Sequence, residues 1–274
     1  MTGAARAGKI LEYAERLKDE ALQPGFFKKL SEHFTVLWIF MTRIPLPKKL
    51  LPSPPTMPSP DAMAAMPLVG GVLAAAATMP AWLLTAAVPQ AAAAWIACGV
   101  YTILGWSLHL DGWGDLWDGI GSGRRGEEMR AVMKDSRMGT FGAAGVILAL
   151  STRAALLSSI SVESWLYAAT VAGAAGRYAS VTSAYMGEYP WSAGLGRDTV
   201  RGFKGYQLFR AFAASCVFFP LAPLGWAIGM AAAASSAAGI ALWANKNLGG
   251  TNGDVLGASA VLGEILALTA CSIG

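Results

Sequence analysis

The sequence predicts an all-α protein, a polytopic transmembrane bundle of about seven spans preceded by an N-terminal amphipathic, interfacial helical segment. Composition gives the first ground. Of 274 residues, 54% are hydrophobic and only 14% charged, where a soluble domain carries about 25% charged residues. The mean hydropathy is +0.45. The second ground is a series of apolar stretches near the ~20 residues that one crossing needs. The third is the uneven distribution of Lys and Arg among the polar connections. Residues 1–61 read as cytoplasmic amphipathic helices and a Pro-rich linker, and residues 62–274 as one transmembrane bundle that carries the site.

Residues 4–22 form an amphipathic helix. Ile10, Leu11, Tyr13, Ala14, Leu17 and Ala21 make its stripe, with Arg6, Lys9, Arg16 and Lys18 on the other faces. It lacks the apolar run of a signal peptide. Phe26, Phe27, Leu30, Phe34, Leu37, Trp38 and Phe40 mark a second segment that ends at Arg43. Its apolar part, Phe34 to Met41, is too short to span and is expected at the interface or partly inserted. Seven prolines between Pro45 and Pro60 follow. Proline fixes φ and lacks an amide donor, so this is an extended linker. The spans run over about 62–88, 91–110, 141–160, 165–186, 206–221, 224–244 and 254–273. The fifth is short and opens on a Lys-Gly-Tyr stretch. Alanine-rich runs such as Leu73 to Ala77 suit close helix approach in lipid. Cys98, Cys216 and Cys271 lie far apart in apolar runs and read as small packing residues, without disulfide or metal spacing.

Lys and Arg number nine in residues 1–61, five in 111–140, three in 187–205 and one in 245–253. The intervening connections at 89–90, 161–164 and 222–223 carry none. The positive-inside bias then puts the long polar loops in the cytoplasm and the C-terminus outside. Topology accounts for the net charge of +4, and no nucleic-acid partner is expected.

The chemistry concentrates in His109-Leu-Asp111-Gly-Trp-Gly-Asp115-Leu-Trp-Asp118-Gly119, directly after the second span. On a helix, positions i, i+4 and i+7 share one face, within a sector of roughly 60°. Three carboxylates there repel one another at a membrane boundary, and a divalent cation offsets that cost. Oxygen-only ligands favour Mg²⁺ or Mn²⁺ over zinc, and Mg²⁺ completes its shell with substrate phosphate. Asp111, Asp115 and Asp118 are thus the candidate metal ligands and catalytic groups. Gly112, Gly114 and Gly119 leave room for a bulky ligand. His109 is a candidate for proton transfer or for orienting Asp111, against the plainer role of a hydrogen-bonded interfacial histidine.

Downstream, Met133-Lys-Asp-Ser-Arg-Met-Gly-Thr-Phe-Gly142 offers Lys134, Ser136, Arg137 and Thr140 as donors to phosphate oxygens, with Gly139 and Gly142 allowing close backbone approach. Asp135 adds a metal ligand or pairs with Arg137. In Leu248-Gly-Gly-Thr-Asn-Gly-Asp254, Asp254 holds a ligand or metal at the mouth of the last span, or caps its helix. Arg177 lies inside the fourth span. An intramembrane arginine is a substrate-binding candidate, with pairing to Glu264 as the structural alternative.

Together these pieces resemble the cobalamin (5′-phosphate) synthase family, the adenosylcobinamide-GDP ribazoletransferases. The matches run in order along almost the whole chain: Phe40-Met-Thr-Arg-Ile-Pro-Leu-Pro47, Pro67-Leu-Val-Gly70, the aspartate block, Met133 to Gly142, Gly194-Leu-Gly196 and Gly253-Asp-Val-Leu-Gly-Ala258. The aspartate block together with Lys-Asp-Ser-Arg is the specific part. Trp113, Gly114 and Trp117 depart from the family pattern, as does Val261, where a second acid before Glu264 is usual. The N-terminal extension of about 30 residues is longer than usual. The resemblance implies a cell-membrane enzyme of late cobalamin biosynthesis. It would join adenosylcobinamide-GDP to α-ribazole or its 5′-phosphate and release GMP, with its site facing the cytoplasm. Asp111, Asp115 and Asp118 would then hold Mg²⁺, Lys134 and Arg137 the phosphates, and Asp118 would take the hydroxyl proton. Partners are those substrates and the lipid bilayer, with a homo-oligomer admitted. Three rivals fit less well. A membrane prenyltransferase has two strong aspartate motifs, a CDP-alcohol phosphotransferase has a longer aspartate spacing, and a transporter has midplane polar groups with repeats.

Overall fold

The computed structural model describes residues 3–52, 57–192, 194 and 197–273. Among them every regular element is helical. Part of the Pro-rich linker (53–56) and two members of the Gly-Leu-Gly match, Leu195 and Gly196, lie outside the described residues.

Two helices lead the chain, α1 (Gly3–Leu22) and α2 (Phe26–Met41). Between them Gly25 has φ 94°, a conformation that costs glycine little. The second half of α2 is buried through Leu37, Trp38 and Met41, so the apolar run expected at the interface packs into protein. The described part of the linker holds one 3₁₀ turn (Lys48–Leu50) and the short α3 (Pro60–Met63). Ser59 caps α3 by accepting from the Ala62 amide at 3.1 Å.

The bundle follows as α4 (Met66–Leu84), α5 (Gln90–Leu104), α6 (Leu108–Gly121), α7 (Gly126–Met133), α8 (Thr140–Ser159), α9 (Trp165–Met186), α10 (Arg197–Gly202), α11 (Gly205–Ser215), α12 (Pro223–Asn247) and α13 (Gly253–Ile273). Among the described residues, four helices are long and apolar enough to cross a membrane: α4, α8, α12 and α13. The pair α5 and α6, bent by 94°, adds a fifth when taken as one span. That is fewer than the seven predicted. The fifth predicted span divides into the 11-residue α11 and a 3₁₀ stretch, Cys216–Leu221, with Pro220 inside it. Proline lacks the N–H that would continue an α-helix. The fourth predicted span is the 22-residue helix α9, which falls outside the apolar set because it is built mainly of alanine and other small residues, holds Arg177 and has few Leu, Ile or Val side chains.

Packing explains that composition. Every residue of α9 from Ala168 to Ala184 is buried, between α4, α12 and α13. A helix enclosed by other helices needs small residues for close approach rather than an apolar face for lipid. A Cβ on Gly173 would stand 2.9 Å from the Gly70 carbonyl carbon of α4, and one on Gly263 of α13 would stand 2.8 Å from the Ala179 Cβ.

Candidate active site

The site is built on α6, which turns away from α5 through Trp106 and Ser107. Both have positive φ, 57° and 53°, a left-handed conformation that costs an L-residue about 1–2 kcal/mol. The motif around Arg43 braces this turn. The Arg43 amide donates to the Leu104 carbonyl at 2.8 Å, and its guanidinium lies over the Trp106 ring, 3.4 Å from the centroid. The Trp38 indole donates to the Ile44 carbonyl at 3.0 Å, tying the strap to α2.

The glycines of α6 admit neighbouring helices, where the sequence reading left that space for a ligand. A Cβ on Gly112 would lie 2.8 Å from the Asp254 Cα on α13, and one on Gly119 would lie 2.9 Å from Met129 and Met133 on α7. One on Gly114 would lie 3.3 Å from Val146 on α8. The Trp113 indole donates to the Gly145 carbonyl of α8 at 2.8 Å.

Asp111 is exposed, while Asp115 and Asp118 are half-buried. The Asp118 carboxylate accepts the amides of Gly139 and Gly142, each at 2.7 Å. It therefore caps the N-terminus of α8 from a different helix. Gly139 and Gly142 make their close approach to this carboxylate, where the sequence reading had them approach a phosphate. A Cβ on Gly142 would lie 2.8 Å from the Asp118 Cγ. Both oxygens of Asp118 are thus engaged by backbone donors at the start of α8, which leaves it badly placed to take the hydroxyl proton. Asp115 has the opposite surroundings. Burial first, then the carboxylates of Asp254, Asp111 and Asp118, disfavours its charge. Asp254 faces α6 from the first turn of α13 and receives the Asn252 side-chain amide at 2.8 Å. Asn252, not Asp254, caps α13 by accepting from the Val255 amide at 3.1 Å.

Among the described residues, no three His, Cys, Asp or Glu side chains stand close enough to hold a metal by themselves. The donor set nonetheless suits Mg²⁺. That ion is held by one or two carboxylates and takes its remaining ligands from water and substrate phosphate, and the repelling carboxylates of Asp111, Asp115 and Asp254 supply the negative charge.

Basic groups border this acidic face. Lys134, exposed at the end of α7, and Arg130 one turn earlier both act electrostatically on Asp254. The Arg130 guanidinium lies over the Trp191 ring, 4.3 Å from its centroid. The Trp191 indole donates to Glu127 at 2.7 Å and holds that carboxyl below its usual range. Sequence reasoning missed Arg130, although its i, i+4 spacing from Lys134 puts both on one face. Arg137 closes a fork on Asp135, with Nε to Oδ1 at 3.0 Å and Nη2 to Oδ2 at 2.6 Å. These contacts hold the Asp135 carboxyl down to about 2. Ser136 and Thr140 are exposed beside them.

His109 and Arg177 sit apart from the acidic face. Arg177 pairs with Glu264, the structural alternative for it, and with the Tyr101 hydroxyl. Its Nη2 lies 3.4 Å from the His109 Nδ1. Arg153 of α8 shares the same Glu264 carboxylate, a partner that no local pattern disclosed.

A family model described as cobalamin-5-phosphate synthase matches residues 33–272. Three curated relatives carry the name adenosylcobinamide-GDP ribazoletransferase. That of Syntrophobacter fumaroxidans is 31% identical over 246 residues, covering 88% of this chain and 98% of its own. Those of Ralstonia pickettii and Citrobacter koseri are 31% and 30% identical over 252 residues, covering 87% and 88% of this chain and 95% and 99% of their own. No solved structure matches.

Proposed function

Since the chain belongs to the cobalamin-5-phosphate synthase family, we propose that it assembles the nucleotide loop of cobalamin. It transfers adenosylcobinamide phosphate from adenosylcobinamide-GDP to α-ribazole or its 5′-phosphate and releases GMP. The observation that carries this reading is the juxtaposition of Asp111 and Asp115 on α6 with Asp254 on α13, beside the basic end of α7. A ribose hydroxyl of the acceptor attacks the phosphorus attached to cobinamide, and the bond from that phosphorus to the oxygen of the leaving GMP breaks. Such a transfer needs positioning and charge neutralisation more than covalent chemistry. Mg²⁺ held by Asp111 and Asp115, with Asp254 opposite, would supply that neutralisation. Lys134, Ser136, Arg137 and Thr140 bind phosphate oxygens. Asp118 holds the start of α8, and the loop before it, against α6 and so keeps those donors beside the acids. The hydroxyl proton passes to a carboxylate of this face that the metal leaves free; Asp118 is not that group, because backbone amides occupy both of its oxygens.

The same proposal has seven crossings, with α9 as an enclosed one and α11 with its 3₁₀ extension as a short broken one. The acidic face, the basic loops and residues 1–61 then lie on the cytoplasmic side of the cell membrane, as the Lys and Arg distribution supports.

The test is GMP release by the purified protein in detergent with Mg²⁺, adenosylcobinamide-GDP and α-ribazole 5′-phosphate. Chelating the metal should stop it. Asp111→Asn and Asp115→Asn should each reduce the rate about 100-fold or more, ~3 kcal/mol of transition-state stabilisation, with an unchanged melting point. Asp118→Asn should lower the melting point as well as the rate. Near-normal turnover by both of the first two variants would sink the metal-site reading.

A further inference from the structure

Deep in the bundle lies a charged cluster that the transfer reaction does not use. Arg153 of α8, Arg177 of α9 and Glu264 of α13 are 6%, 2% and 3% exposed. Both guanidinium groups donate to the one Glu264 carboxylate, which also accepts from the Tyr101 hydroxyl at 2.6 Å. Among the described residues no second acid is hydrogen-bonded to either arginine. Arginine stays protonated in proteins, so two cations and one anion leave one uncompensated positive charge. Tyr101 and His109 complete the cluster and add no negative charge in their neutral forms. An unpaired buried charge is strongly disfavoured.

Donors are left over too. The Nε atoms of Arg153 and Arg177 are buried without a hydrogen-bond partner. Two small cavities adjoin the cluster. One, of about 40 Å³, is lined by Thr78, Cys98, Tyr101, Arg153 and Glu264 among apolar side chains. The other, of about 20 Å³, reaches from Arg153, Arg177 and His109 to Gly105 and Ser107 at the turn between α5 and α6. Each exceeds the ~10–15 Å³ that one water needs, and the first exceeds it about threefold, which leaves room for an ion somewhat larger than water. Water there would satisfy a donor and leave the charge. A halide-sized monovalent anion would satisfy the donor and neutralise the charge, whereas a phosphate ester is too large.

We propose that the Arg153–Glu264–Arg177 cluster binds one monovalent anion, chloride in the cell, between α5, α8, α9 and α13. The site is separate from the acidic face and does not depend on the activity proposed for it. The experiment is equilibrium binding of radiolabelled chloride to the purified full chain in detergent, with sodium gluconate holding ionic strength constant. The expected result is saturable binding of one chloride per chain, displaced by bromide, with a melting point that rises with chloride as linkage requires. Arg153→Gln makes the cluster neutral and should abolish the binding. Where that variant does not fold, Glu264→Gln serves instead, because it adds a second uncompensated charge and should tighten binding about tenfold. Absence of saturable binding to the wild-type chain overturns the proposal. So does binding that Arg153→Gln retains, or an affinity that Glu264→Gln leaves unchanged.

Discussion

Asp118 joins three stretches of chain with a single carboxylate: the end of α6, the loop after α7 and the first turn of α8. Both of its amide donors come from glycines, and each glycine is needed because a β-carbon would enter the carboxylate's space. Gly142→Ala should therefore destabilise the protein by about 1–3 kcal/mol, the usual cost of overpacking. Gly99→Ala on α5, where nothing lies within 4 Å, should be neutral or gain up to ~1 kcal/mol. Thermal unfolding in detergent compares the two. Arg137 invites a second comparison. If its planar fork passes from Asp135 to a diphosphate oxygen, Arg137→Lys should slow GMP release about tenfold. Arg124→Lys, in the same basic stretch, should be silent. Equal, near-normal rates at equal membrane levels would remove Arg137 from the site. The helical spacing of the aspartates was legible in the sequence because it is local. The use of Asp118 as a cap was not, because its partners lie 21 and 24 residues away.

At the scale of elements, the turn between α5 and α6 orients the acids. Two successive residues with positive φ are held there by Arg43 and its strap. Ser107→Val should cost about 1–2 kcal/mol, since a β-branched residue tolerates this conformation poorly, whereas Ser107→Gly should not. The melting points of the two variants decide it, and equal values would mean that the turn relaxes elsewhere. Apolar length predicted α4, α8, α12 and α13 well, because each is apolar along its length whether those residues face outward, as most do in α8, or inward, as most do in α13. The same criterion ran the second span on to residue 110, beyond the end of α5 at Leu104, because hydropathy does not register a change of direction. It also joined α11 to the 3₁₀ stretch that follows. For α9 the length was legible and the environment was not. Small residues on every side mark a helix that meets protein all round.

For the whole molecule, the Lys and Arg distribution makes a prediction independent of any side-chain contact. A reporter fused before α1 should be cytoplasmic, and one fused after α13 should be outside. Both reporting the same side would mean an even number of crossings, and α11 with its 3₁₀ extension would then not cross. The cluster around Glu264 bears on how such a chain is made. A ribosome delivers Arg153 and Arg177 well before Glu264, and α9 is complete before α12 and α13 begin. Throughout that interval the nascent bundle holds two cations without their shared counter-ion, and its central helix lacks two of its flanking walls. Nonsense mutations that remove α13 should therefore leave proteins that membrane quality control recognises and degrades, even though the aspartates of α6 and the basic loop after α7 are all present in them.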